Sequence, residues 1–381
     1  VRLVQAICDR YHRNLGPAVT NEIVLRKRMD GTAASSHPLW LTLATEAINL
    51  LDADDFKRTE NEFTGQADER IEQLLLQTIR VLPIDVDGLF LWTLQRARDL
   101  HDPTLVDGFV KLTAISRFGL RELDYRTLLP DLTKQPWDSL RFAMLRRSFR
   151  TLVQRREDDA RCNYAQQGMR DMIVRICLPA TEDKLWMHER IASYLRTLPA
   201  SDPMRQQETM YHLVNGHNAL SCAQYLCECI DESEKPGGDP TSGIAAIHIL
   251  AETVRGQREP FVDWITSWLT LEELSIKQRL LLAGFFGQAL DHLLIDSVNL
   301  SLRRRMHESI LKILSIIVTD STDADAARQL VGSHSFIGSI LLSEGKSEQA
   351  FAEFSEGQRI AKELVRLHPD RIDAKQNLAH L

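Results

Sequence analysis

Residues 116–131 read SRFGLRELDYRTLLPD, and the segments that follow decide the fold. The Gly119-Leu120 pair interrupts one helical pattern, and a second begins just beyond it. A further helix is expected over 137–149. A short hairpin comes next, with strands at 150–153 and 162–164 around a turn at 157–161. The stretch MRDMIVRICL, from Met169, opens another helix.

Helix, turn, helix, helix and two-stranded wing is the order of a winged-helix domain. Outward from it, the chain is helical nearly throughout. Residues 39–51 (LWLTLATEAINLL) place apolar side chains at i, i+3, i+4 and i+7. The same stripe recurs over 71–82, 105–115, 185–198, 302–317, 326–342 and 347–367. Polar or Gly/Pro-rich breaks fall at 59–68, 233–243 and 319–325, with Asp68 as an expected helix cap. Four blocks result: 1–60, 61–180, 181–320 and 321–381. The expected fold class is mainly α, a winged-helix domain followed by an α-α superhelix of TPR-like repeats.

In the last block Gly338, Leu341, Gly345, Ala350 and Phe354 stand where a tetratricopeptide repeat places them. A glycine at 338 lets two antiparallel helices approach, and Gly345 permits the turn between them. The closing Pro369 comes late, which lengthens the second helix. The final NLAHL looks like the first helix of a following repeat, and a chain opening on Val1 is expected to be part of something longer. Gly345-Lys346-Ser347 imitates the end of a phosphate loop, but Ile340 stands where the first glycine is needed and no strand precedes it.

Composition narrows the classes. The 381 residues carry 46 Lys+Arg against 53 Asp+Glu, with 44% hydrophobic and 26% charged residues, which excludes a disordered tail and a basic nucleic-acid coat. Six unevenly spaced cysteines are expected as reduced thiols. No apolar run is long enough to span a bilayer, so no membrane partner is expected and the location is taken as cytoplasmic. His212, His217, Cys222, Cys227 and Cys229 cluster in sequence without paired ligand knuckles, so buried thiols are expected rather than a metal site. The pairs Asp54/Asp55 and Glu272/Glu273 are expected as caps and solvated surface, and Trp264 with Trp268 as core. No catalytic residues are assigned, since no nucleophile–base set has meaningful spacing.

Arg141, Arg146, Arg147, Arg150, Arg155 and Arg156 give the expected recognition helix and wing a basic character, as in winged helices that bind DNA. Glu157, Asp158 and Asp159 follow directly and the net charge is −7, so a solvated or interdomain face is expected and DNA is not.

Several phrases in shared order carry a resemblance. They are Ser36-His37-Pro38-Leu39-Trp40-Leu41, then Ser116-Arg117-Phe118-Gly119-Leu120 with Glu122-Leu123, then Met169-Arg170-Asp171-Met172-Ile173. His188-Glu189-Arg190-Ile191-Ala192-Ser193-Tyr194 and Glu208-Thr209-Met210-Tyr211-His212-Leu213 follow. Together they resemble the C-terminal part of STAND NTPases of the NACHT type, including nephrocystin-like and bacterial antiviral (Avs-type) proteins. The resemblance covers 35–230 and 330–381 and implies a helical lid in block 1–60, the winged helix in 61–180, a helical domain in 181–320 and a repeat in 321–381.

It further implies that Pro38 packs near the adenine of a nucleotide. The position of a phosphate-facing histidine is taken by Gln166, which can donate a hydrogen bond but carries no proton-linked charge. ATP or ADP with Mg would belong to the parent protein and not to this chain alone, which lacks a phosphate loop. The implied role is to couple recognition of a protein trigger by the repeats, a phage protein in antiviral members, to nucleotide-dependent homo-oligomerisation, the other partner being the protein's own NTPase core. Two alternatives are a helical-repeat adaptor and a winged-helix STAND-type transcription regulator.

Overall fold

The pattern of apolar spacing is realised as nineteen α-helices and one two-stranded sheet among the described residues. The computed structural model describes residues 2–9, 12–49, 51, 53–150, 152–155, 160–239, 241–254, 258–293, 300–320 and 324–370. The hairpin tip at 156–159 and the closing segment 371–381, with its NLAHL, lie outside them. The chain divides into two compact units, Val1–Lys184 and Leu185–Leu381. No helix among the described residues is long and apolar enough to cross a membrane.

The first unit opens with α1 (Arg2–Asp9), α2 (Pro17–Leu25), a 3-10 turn (Ala34–Ser36) and α3 (Pro38–Asn49). Next come α4 (Ala53–Glu62), α5 (Ala67–Val81) and α6 (Val86–Leu100). Most of α3 is buried, because it packs against α1, α2, α5 and α6, and Trp40 donates its indole N–H to Pro83 O at 2.9 Å. The cap of α5 is not Asp68 but Gln66, whose backbone N–H donates to Glu69 at 2.9 Å. The glutamate three residues on outcompetes the aspartate because its reach fits the first turn. Asp55 is not solvated surface either: it is buried and ion-paired with Arg96 of α6.

The rest of the unit is α7 (Pro103–Ile115), α8 (Glu122–Thr133), α9 (Ser139–Ser148), β1 (Val153–Arg155), β2 (Cys162–Tyr164) and α10 (Gln167–Cys177). Aspartates start two of these helices. Asp102 accepts from Thr104 and Leu105 N–H, and Asp138 accepts from Leu140 and Arg141 N–H. Phe109 of α7 is the centre of the core, with ring centroids of Tyr125, Phe142 and Phe149 at 5.2, 5.8 and 5.7 Å. The two tyrosine hydroxyls are satisfied inside: Tyr164 donates to Val110 O at 3.0 Å, and Tyr125 meets the Thr113 hydroxyl at 2.7 Å.

The strands pair antiparallel in the register Val153↔Tyr164, Gln154↔Asn163, Arg155↔Cys162. The first strand starts later than the expected 150–153, because Leu152 and Val153 N–H both return to Phe149 O and finish the helix turn first. A third segment joins the pair. Leu120 and Cys162 exchange both backbone hydrogen bonds, at 3.2 and 2.8 Å. Gly119 makes that approach possible: its φ is +94°, and a Cβ there would lie 2.4 Å from Cys162 O.

The second unit begins within α11 (Thr181–Arg196) and continues through α12 (Pro203–Asn215), α13 (Ala219–Glu234), α14 (Ser242–Thr253) and α15 (Arg258–Trp268). It ends with α16 (Ile276–Leu293), α17 (Leu300–Asp320), α18 (Ala324–Ser343) and α19 (Ser347–Leu367). From α12 on, packing joins helices up to three apart in sequence: α12 packs on α13 and α14, α13 on α14, α15 and α16, α14 on α16, α15 on α17, and α16 on α17 and α18. One apolar core runs from Ala192 to Leu330 and includes Trp268, with Trp264 edge-on at 5.0 Å and packed against it. At the end, the ring of Phe354 fills the space beside Gly338, where a Cβ would sit 2.7 Å from it. Gly345 turns the chain at φ +77°, and Ala350 is buried with Ile337 and Leu341.

Candidate functional site

The two residues assigned to nucleotide contacts both stand exposed at helix starts. Pro38 is the first residue of α3, and Gln166 precedes α10 with its side chain free of any capping bond. The helices they open share α6 as a neighbour. An exposed pyrrolidine can lie against a base and an amide can donate to a phosphate oxygen, and this pair supplies nothing more. Lys346, the lysine of the apparent phosphate loop, pairs with Glu344 at 2.7 Å on the turn between α18 and α19, and no strand precedes it.

Among the arginines of α9 and its C-terminal turn, one, Arg150, reaches a buried partner. Arg146 reaches Glu122 of α8 at 3.1 Å, and Arg150 reaches the buried Glu46 of α3 at 3.2 Å. Arg141 pairs with Asp138 at 3.5 Å, and Arg147 has no ion pair among the described residues. The side chains of Arg155 and Arg156 lie outside the described residues. The Arg150–Glu46 bond joins positions 104 apart in sequence and ties the start of the unit to the hairpin. Replacing Arg150 with Ala is expected to lower the stability of the first unit by about 1–2 kcal/mol. A buried carboxylate loses its cation there but keeps its other contacts, and urea unfolding reads the change.

The most concentrated buried polar chemistry lies in the second unit, between α11 and the α12–α13 corner. Two of the phrases that carry the resemblance meet there. His188 Nδ1 lies 2.9 Å from His212 Nδ1, and His212 Nε2 lies 3.5 Å from Glu208 Oε2 one helical turn earlier. Tyr211 stands edge-on to both imidazoles, at 5.8 and 5.2 Å. Glu208 and His212 are fully buried. Burial, with the neighbouring His212 and His217, pushes the His188 imidazole far below its ordinary value, to about 2, so it is neutral at physiological pH. Beside the pair a polar cavity of about 40 Å³ is bordered by Glu189, Ser193, Arg196, Asn218 and Ser221. That is room for waters and not for a metabolite. Arg196 and Arg205 both pair with Glu228 of α13, which closes the same seam.

The cysteines that sequence places near this seam are packing residues. Cys222, Cys227 and Cys229 are all buried in the core of α13, including Cys227, because α13 meets α12, α14, α15 and α16. Burial raises all three thiols, Cys227 to about 12 and Cys229 to about 11, which keeps them protonated and unreactive. Among the described residues no three His, Cys, Asp or Glu side chains are grouped to hold a metal ion. Sequence reading located His188 and His212 as parts of phrases but not as partners, since a helix and a turn separate them. The signal available was two histidines at helix positions whose neighbours Ile191, Ala192, Met210 and Leu213 are core residues. Comparison with protein-family models, curated proteins and solved structures finds no match to this chain.

Proposed function

We propose that this chain is the regulatory and sensor-proximal region of a STAND-type NTPase, transmitting partner recognition by a helical-repeat array to a nucleotide-binding core. In this reading the block 61–180 holds the winged helix and the second unit is an α-α superhelix ending in a TPR-like hairpin. The observation that carries it is the Leu120–Cys162 bridge. It adds a third segment to the hairpin and fastens that wing to the turn before α8, the arrangement a winged helix requires. The stacking of α16, α17, α18 and α19, each on the next, supports the repeat half at its end, because such arrays expose long surfaces suited to protein partners. The ion pair of Arg150 with buried Glu46 and that of Arg146 with Glu122 occupy two of these arginines, which favours a protein-facing wing over a DNA reader.

The mechanism is a population shift: a trigger protein that binds the repeats in the open arrangement better than in the closed one releases the core for homo-oligomerisation. ATP or ADP with Mg would be held by that core, with Pro38 and Gln166 as edge contacts, and a phage protein is the expected trigger in an antiviral setting. A helical-repeat scaffold without an ATPase is the second reading, favoured by the stacking alone. Two measurements on the natural protein decide between them: the sequence encoded before Val1, and its mass in solution with ATP and with ADP. A phosphate-loop motif and an ATP-dependent mass increase support the switch. Absence of both leaves the scaffold.

A further inference from the structure

Only one asparagine of the chain is followed by glycine, and that pair, Asn215–Gly216, stands at the corner between α12 and α13. In such a dipeptide the asparagine side chain can close on the next backbone nitrogen, because glycine has no Cβ to crowd the approach. Asn215 is the last residue of α12, and Gly216 caps it. The helix engages both reacting groups. The Asn215 amide donates to Tyr211 O at 2.8 Å, and Gly216 N–H donates to His212 O at 2.8 Å. One bond holds the electrophile and the other the nucleophile, each to a carbonyl one helical turn back. Ring closure needs the side chain folded forward over residue 216, so both bonds must break first. The chain beyond is fastened too: Asn218 accepts from Ser221 N–H at 2.9 Å and starts α13.

We propose that Asn215–Gly216 is a latent self-modification site, an asparagine that deamidates through a ring with the Gly216 nitrogen, and that the last turn of α12 keeps it closed in the folded chain. The Gly216 nitrogen gives up its proton and bonds to Asn215 Cγ. The Cγ–Nδ2 bond breaks, and the amide nitrogen leaves with that proton as ammonia. Water then opens the five-membered imide at either carbonyl, giving aspartate or isoaspartate. One water enters, one ammonia leaves, and no oxidant or reductant takes part. The product is disruptive at this place. A carboxylate at 215 faces the Tyr211 carbonyl at the negative end of α12. The isoaspartate form also adds a methylene to the main chain of the turn that seats α13 on α12. The site stands or falls separately from the nucleotide-switch reading.

The test incubates the intact chain at mildly alkaline pH, in native buffer and in guanidinium chloride, and follows each asparagine by mass spectrometry of its peptides. In denaturant Asn215 is expected to convert faster than any other asparagine of the chain. In native buffer its conversion should be at least about tenfold slower, since the helix end must open before the ring can close. Gly216→Ala, read in denaturant where folding plays no part, should slow Asn215 by about tenfold, because a methyl group then crowds the attacking nitrogen. Three results would overturn the proposal. One is an equal rate at Asn215 in native buffer and in denaturant. Another is an Asn215 that converts in denaturant no faster than the other asparagines. The third is a Gly216→Ala chain that converts there as fast as the unaltered one.

Discussion

Gly119→Ala is expected to destabilise the first unit by about 3–5 kcal/mol. Two costs add. The backbone at 119 has φ +94°, outside the range that an L side chain tolerates without strain. The new Cβ would also fall 2.4 Å from Cys162 O and 2.9 Å from Cys162 C, both main-chain atoms. Neither can retreat, because Cys162 is held on one side by Arg155 in the hairpin and on the other by Leu120. The thermal midpoint of the first unit should fall by roughly 10 °C. Gly168→Ala is the matched control. A Cβ there meets nothing within 4 Å, and the residue lies in the first turn of α10, so the change should be neutral or slightly stabilising. Equal midpoints for the two variants would mean that the hairpin is not fastened at Leu120.

The second large effect is a pH dependence localised to the second unit. His188 titrates near its ordinary value of 6.5 in the unfolded chain and near 2 when folded. Above pH 6.5 the imidazole is neutral in both states and the shift costs nothing. As the pH falls below 6.5 only the unfolded state takes up the proton, so stability falls by about 1.4 kcal/mol per pH unit, towards a limit near pH 2. At pH 4.5 the loss from this one group reaches about 3 kcal/mol. Carboxylates contribute to acid unfolding as well, so the informative quantity is the difference between the wild type and His188→Gln. The glutamine amide can still bond to His212 but takes up no proton. The urea midpoint of the second unit should fall more steeply with acid in the wild type, by about one proton's slope. Parallel curves would mean that His188 is protonated in the folded protein.

How far sequence reading reached depends on the range of the interaction involved. Helices α3, α7 and α19 were legible because their stripes are local, and so was the turn at Gly345. The need for a glycine at 338 was legible too, since Phe354 sits only one helical hairpin away. The candidate site was less legible. Pro38 and Gln166 came from resemblance, and their exposure depends on how α3 and α10 lie on α6. The pairing of His188 with His212 needs the angle between two helices, which no spacing encodes. Asp55 reads as surface because it stands in an adjacent acidic pair with Asp54. It is buried because Arg96, 41 residues later, arrives on another helix. Cys227 lies off the helical face that Cys222 and Cys229 share, seven apart, and it is buried as well because α13 packs on several neighbours.

The hydrogen bond between the two imidazoles also ties the tautomer of one ring to that of the other. Across 2.9 Å one Nδ1 donates and the other accepts, so the accepting ring carries its hydrogen at Nε2 instead. Glu208 Oε2 stands 3.5 Å from His212 Nε2, beyond a hydrogen bond, so either ring can take the donor role. Nitrogen NMR should therefore find two histidines of opposite tautomer coupled through one hydrogen bond, a signature that would report directly whether α11 is seated on α12.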